Sequence, residues 1–301
     1  MDSELFRKYL DPAVLNKISR LDLLAQQIVE GFVTGMHKSP HHGFSIEFAQ
    51  HREYVPGDDL RHVDWKVFGR SDRYYIKQYE EETNLVACIA VDCSESMRYQ
   101  ADGISKYQYG CVLAACLAHL ITHQQDAVGL AMFDQGVAHY MPPASNVSHM
   151  AAILGEFDKR APRGKTDIAA TFHDLAERLR KKSMVIVISD FFDDEARVYE
   201  GLKHFRHRHH EVVAFHLMDR YELSFPFAKV TKFIGMEEYP DQLLEPRAIR
   251  DAYLAEVGEF LKTMRKNCLK IKADYTLLPT DEPLDVALSA YLATRHSARR
   301  A

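Results

Sequence analysis

The sequence has no excess of positive charge: 38 Lys and Arg stand against 43 Asp and Glu, a formal balance of −5. General nucleic-acid binding draws on a basic stripe or domain, and this chain offers no such footprint. It also lacks a long apolar run. The longest stretches, such as Cys111 to Ile121, fall short of the roughly 20 residues that a spanning helix requires. The opening residues, MDSELFRKYLDP, have neither the apolar core nor the small-residue cleavage site of a secretory signal. The expectation is a cytoplasmic protein without membrane insertion. Cysteine is scarce: Cys88, Cys93, Cys111, Cys116 and Cys268 form no CxxC pair, and four lie in apolar runs. That usage suits buried thiols in a reducing compartment rather than disulfides or zinc. Hydrophobic residues at 47% and charged residues at 27% exclude a disordered or fibrous chain.

From Leu85 onward, short apolar runs alternate with helical stretches, the pattern of a parallel sheet with crossover helices. The runs are Leu85 to Asp92, Ala127 to Asp134, Met184 to Asp190 and Val212 to Asp219, and each ends in aspartate. Their unbroken hydrophobicity implies that both faces are covered. Val137 to Pro142 follows the second run too closely for a crossover, so it reads as an antiparallel hairpin partner. Asp274 to Thr280 reads as a last strand, and helices are expected over 106–123, 147–157, 167–181, 195–207 and 246–268, with a final one from about 280–283 to 295. The expected fold is a doubly wound, mostly parallel α/β sheet over 85–295, with a frayed tail at 296–301.

Residues 1–84 read differently, as an arm packed on the main domain. Leu5 to Phe32 suits one or two helices, Gly35 to Gly43 is turn-rich, and Phe44 to Phe48 alternates like a half-buried strand. Two strands around Val63 to Phe68 and Tyr74 to Tyr79, joined at GRSDR, are expected to form a hairpin. Asp58, Asp59, Asp64, Arg61, Lys66, Arg52 and Arg70 surround the only tryptophan, Trp65, and balance one another in charge. Such a run serves either as a solvated surface or as a docking face, for which Arg61, Asp64, Trp65 and Arg70 are the candidates.

In an open parallel sheet, ligands bind outside the carboxyl ends of the strands, where strand order reverses. Aspartates there repel one another unless something positive lies among them. Each could instead cap the following helix or open a turn. The loop after the first run reads D-C-S-E-S, with Asp92, Ser94 and Ser96 at alternate positions. Thr166 stands in GKTD before a helix, and Asp190 closes the central run. Carboxylates and hydroxyls are hard oxygen ligands, suited to Mg2+, Mn2+ or Ca2+ rather than zinc.

This ordered set resembles the metal-ion-dependent adhesion site (MIDAS) of von Willebrand factor type A domains, whose fold is a wound sheet with one antiparallel edge strand. The resemblance implies that Ser94 and Ser96 are direct ligands, Thr166 a direct or water-mediated one, and that Asp92 and Asp190 act mainly through waters. It also implies an open coordination position for a partner's acidic group. Glu95, between the serines, departs from the small residue usual there and could compete for that position. The string GxHxSPxxGxSxEFxxxRxYxPGDDxRxxDWK, from Gly35 through Lys66, further resembles the signature of the bacterial domain of unknown function 58 family. That resemblance implies a von Willebrand-type interaction module that works with a MoxR-type AAA+ ATPase or its client in the maturation of another protein, without catalysis of its own.

Other chemistries have less behind them. GKT at Gly164 lacks the earlier glycine of a phosphate-binding loop, since Lys159 stands there. No GxSxG elbow occurs. A metal-dependent hydrolase or phosphatase on the same carboxylate edge is the alternative, although Ser94 replaces the second acid of a DxD site. A site that is only vestigial, on a domain that serves as a scaffold, is a third reading. The histidines of HFRHRHH, His204 to His210, are expected to cap a helix end rather than bind a metal.

Overall fold

The computed structural model describes residues 46–55, 63–71, 73–81, 85–237 and 239–298. The expected helices within 5–32, the turn-rich segment, Asp58, Asp59 and Arg61 lie outside them, as does the end of the tail. The described residues fall into two compact units divided between Asn84 and Leu85.

In the first unit, β1 (Ile46–Glu53) pairs antiparallel with β2 (Tyr75–Glu81), with α1 (Trp65–Ser71) between them. The expected 63–68/74–79 hairpin is therefore wrong. Val63 makes only an isolated bridge to Ile76, and the next residues coil. The reason is local: Asp64 starts a helical turn, its carbonyl accepting from the Val67 and Phe68 N–H groups and its carboxylate from Val67. Phe68 then stacks on Tyr74 at 4.5 Å, and β2 finds its partner far back in sequence.

The second unit is built on β3 (Val86–Asp92), β4 (Ala127–Phe133), β5 (Val137–Ala144), β6 (Met184–Ser189), β7 (Glu211–Met218) and a further strand over Asp274–Pro279. A small hairpin, β8 (Thr231–Phe233) with β9 (Gln242–Leu244), follows β7, so the strand at 274–279 is β10. The sheet order is β10-β7-β6-β3-β4-β5, parallel throughout except for β5. The helices are α2 (Lys106–His123), α3 (Val147–Lys159), α4 (Ile168–Arg178), α5 (Glu195–His207), α6 (Arg220–Ser224), α7 (Pro246–Lys270) and α8 (Leu284–Ala298). Side-chain polarity sets several starts: Ser105, Asn146, Asp167 and Asp194 each accept a backbone N–H in the first turn that follows.

Alternate strand residues feed two cores. On one face Cys88, Ala90, Val185, Val187 and Ala214 meet α4 and α5 through Phe172, which lies 5.3 Å from both Phe133 and Phe205. On the other, α2 comes so close that a Cβ at Gly110 would stand 3.2 Å from Ile188 and Leu217. Phe215 meets Tyr291 of α8 at 5.0 Å. All five cysteines are buried and free. Chain order reverses between β3 and β6, which places the switch-point crevice at Asp92 and Asp190.

Candidate functional site

The residues after β3 and β6 form one hydrogen-bonded cluster. Asp92, fully buried, accepts from the Ser94 N–H at 2.8 Å and from the Ser189 hydroxyl at 2.6 Å. The Ser94 and Ser96 hydroxyls are 3.0 Å apart, and Ser96 also bonds to Asp190. Backbone bonds join this loop to the GKTD segment: Glu95 N–H donates to the Gly164 carbonyl and Arg163 N–H to that of Cys93, each at 2.9 Å. Thr166 is brought to the same edge, because its N–H and Ser96 bond to one carboxylate, that of Glu237. The Thr166 hydroxyl is buried and has no hydrogen-bond partner among the described residues.

The other two terminal aspartates play different parts. Asp219 caps α6, accepting from Tyr221 N–H at 2.7 Å, and ties down Ala101 N–H at 3.1 Å. Asp134 borders a pocket with Arg160 and Arg163.

The sequence reading missed four residues. Lys106, the first residue of α2 and buried, places its ammonium 2.7 Å from Asp190 and 2.8 Å from Glu222. A cation at a helix N-terminus opposes the helix dipole, and that local conflict was the available signal. Ser189 follows a strand pattern and Glu222 a capping pattern, so neither stood out. Glu237, between β8 and β9, is buried and has a left-handed backbone at φ 52°. Its Oε1 accepts from Ser96 N–H at 3.4 Å, while its own N–H donates to Glu95 Oε2 at 3.0 Å. Glu95 therefore positions Glu237 and pairs with Arg98 at 3.8 Å. The carboxylate on Ser96 and Thr166 is that of Glu237.

The charges explain one another. Burial, joined by the nearby Asp190 charge, pushes the Asp92 carboxyl up to about 7 against its hydrogen bonds. Burial acts the same way on Asp190, but Lys106 overrides it and holds that carboxyl below the usual range. Lys106 pairs with Asp190 and Glu222, while Asp92 and Glu237 are held by hydroxyl and backbone N–H donors, so among the described residues this cluster carries more acid than base. Oxygen donors only, one unpartnered hydroxyl and a charge deficit fit a hard divalent cation.

Of the docking candidates on the arm, Asp64 is buried as the helix-starting residue, which corrects its assignment to an exposed face. Trp65 is 61% exposed, edge-on to Phe68 and Tyr74, and Arg70 is exposed.

The strand order and the switch-point crevice define a doubly wound α/β protein with one antiparallel edge strand. Residues 50–260 match the family model described as Protein of unknown function DUF58, and the chain belongs to that family. Uncharacterized proteins of Mycobacterium tuberculosis and Mycobacterium bovis are 25% identical over 219 residues, 72% of this chain and 68% of theirs. The crystal structure of BatB, a conserved hypothetical protein from Bacteroides thetaiotaomicron, matches with a TM-score of 0.50 at 16% identity, over 71% of this chain and all of that one. A von Willebrand factor type A domain, that of SpRpn10, is also among the structural neighbours, at a TM-score of 0.40 and 11% identity over 69% of this chain and 95% of that one. No helix among the described residues is long and apolar enough to cross a membrane.

Proposed function

We propose that the carboxyl edge of the sheet binds a divalent cation, Mg2+ or a chemically similar ion, and that the protein is an interaction module which captures an acidic group of a partner protein. The observation that carries this reading is the buried Thr166 hydroxyl, left without a partner beside Ser96 and its acidic neighbours. Ser94, Ser96 and Thr166 would hold the ion, with Asp92 fixed by Ser189 and the Ser94 N–H. The ion would supply the positive charge that Lys106 alone does not. Lys106 keeps Asp190 ionised and oriented.

Glu237 supports the second half of the proposal. Its carboxylate already rests on Ser96 and the Thr166 N–H, so the edge accepts an acidic group by its own chemistry. A partner's carboxylate would take that place, and Glu237 would withdraw. The family resemblance suggests a MoxR-type AAA+ ATPase or its client as that partner, with no catalytic step on this chain.

Calorimetric titration with Mg2+ tests the first half. Thr166→Ala and Ser94→Ala should each weaken binding at least about tenfold, the loss of one good ligand. Parent-like affinity in both variants would sink the site. Co-purification with the ATPase should be lost in chelator; capture that ignores chelator would overturn the second half.

A further inference from the structure

We propose that His173, Glu177 and His204 form a binding site for a borderline transition-metal cation of the zinc class, one that joins α4 to α5. His173 and Glu177 are four residues apart in α4 and so share one face, a turn apart. His204, in the last turn of α5, meets them across the helix pair, its ring 4.3 Å from that of His173. One ligand atom from each of the three side chains lies within 4.8 Å of the other two.

The separations suit a metal. Zinc holds nitrogen and oxygen ligands at about 2.0–2.1 Å, which in a tetrahedron places ligand atoms about 3.4 Å apart. His204 Nε2 and Glu177 Oε1 are 3.7 Å apart, too far for a hydrogen bond and close to that edge length. His204 Nε2 is also buried, with no hydrogen-bond partner among the described residues, a state that a metal bond would relieve. The second oxygen of Glu177 pairs with Arg208, and such outer contacts orient a ligating carboxylate.

Two imidazoles and one carboxylate balanced by arginine suit a borderline cation and offer little to Mg2+ or Ca2+. Three protein ligands leave a fourth position for water or a partner's side chain. The site is separate from the sheet edge. α4 and α5 begin at that edge, where Arg197 meets Asp167 at 2.6 Å and Ile168 N–H meets Asp193 at 3.0 Å. The histidine cluster lies in their later turns and would fasten their other ends.

The test is a titration of the metal-free full chain with Zn2+, and with Co2+ as a spectroscopic probe of tetrahedral ligands. With excess Mg2+ present to occupy the sheet edge, one equivalent of Zn2+ should bind, and His173→Asn and His204→Ala should each weaken it at least about tenfold, whereas Glu259→Gln, at an exposed position outside both sites, should not. Far-UV circular dichroism confirms the fold of each variant, and exposed His173 decides the matter if His204→Ala fails to fold. Absence of stoichiometric binding, or parent affinity in the His173→Asn protein, would overturn the site, the latter assigning zinc to other histidines.

Discussion

The two edges of the central sheet hold buried polar groups differently, in small separate sets at the amino edge and in one larger cluster at the carboxyl edge. At the amino edge, the residue before a strand serves the neighbouring strand: Asp126, ahead of β4, accepts from Leu85 N–H at 2.7 Å, and His210, ahead of β7, accepts from Ser183 N–H at 3.1 Å. Each finishes one backbone position, and Arg295 of α8, buried at the same edge, pairs with Glu211 and Asp274 at the starts of β7 and β10. At the carboxyl edge, Asp92, Ser94, Ser96, Lys106, Asp190, Glu222 and Glu237 bond mainly to one another. The second arrangement keeps charges together at the switch point of the sheet.

The contrast is broken most directly at Lys106. Lys106→Met keeps much of the side chain's length but strands Asp190 and Glu222, and should cost about 3–5 kcal/mol by urea unfolding in chelator. Adding Asp190→Asn should return at least about 1 kcal/mol of that loss, because one stranded charge is gone. A cost below about 1 kcal/mol for the single variant would show that the carboxyl edge is as locally organised as the amino edge.

The amino edge should reveal itself through pH. Burial lowers His210 from 6.5 to about 4, so its stabilisation is whole above 6.5 and is lost as pH falls toward 4. Burial raises Asp126 from 3.8 to about 6, so that contribution is whole below 3.8 and is lost as pH rises through 6. The two oppose each other across the same window. Relative to the parent, His210→Gln should therefore lose stability, and Asp126→Asn gain it, by about 1–3 kcal/mol as pH rises from 4 to 6.5. Parallel curves for parent and variants would contradict both assignments.

A near-isosteric change in the core between the edges gives the baseline. Leu175→Met should cost at most about 1.5 kcal/mol, since apolar neighbours adjust to shape where paired charges do not adjust to a missing partner. The smallest effect belongs to Glu237→Ala. Loss of the carboxylate's hydrogen bonds is partly offset because that carboxylate no longer has to be buried, for a net of about 1 kcal/mol or less. Its clearer sign is faster amide exchange at Ser96 and Thr166, whose N–H groups lose their acceptor.

Much of the fold was legible because its signals are local. Unbroken apolar runs marked the parallel strands, and aspartate closed each of four of those runs. Local reading failed where two local codes competed. Alternation across 63–68 suggested a strand, but Asp64 satisfied the backbone of a helical turn sooner than a neighbouring strand could.

A wound α/β sheet with an Asp-x-Ser-x-Ser loop, a threonine and an aspartate at its carboxyl edge is written in local sequence. Only the tertiary structure decided what else stands there. Lys106 meets Asp190 across 84 positions and Ser96 meets Glu237 across 141, while His204 crosses to another helix to meet His173 and Glu177. Periodicity and capping are written within a turn or a strand, whereas these meetings require the whole sheet to form and close the intervening loops, and no short pattern records that.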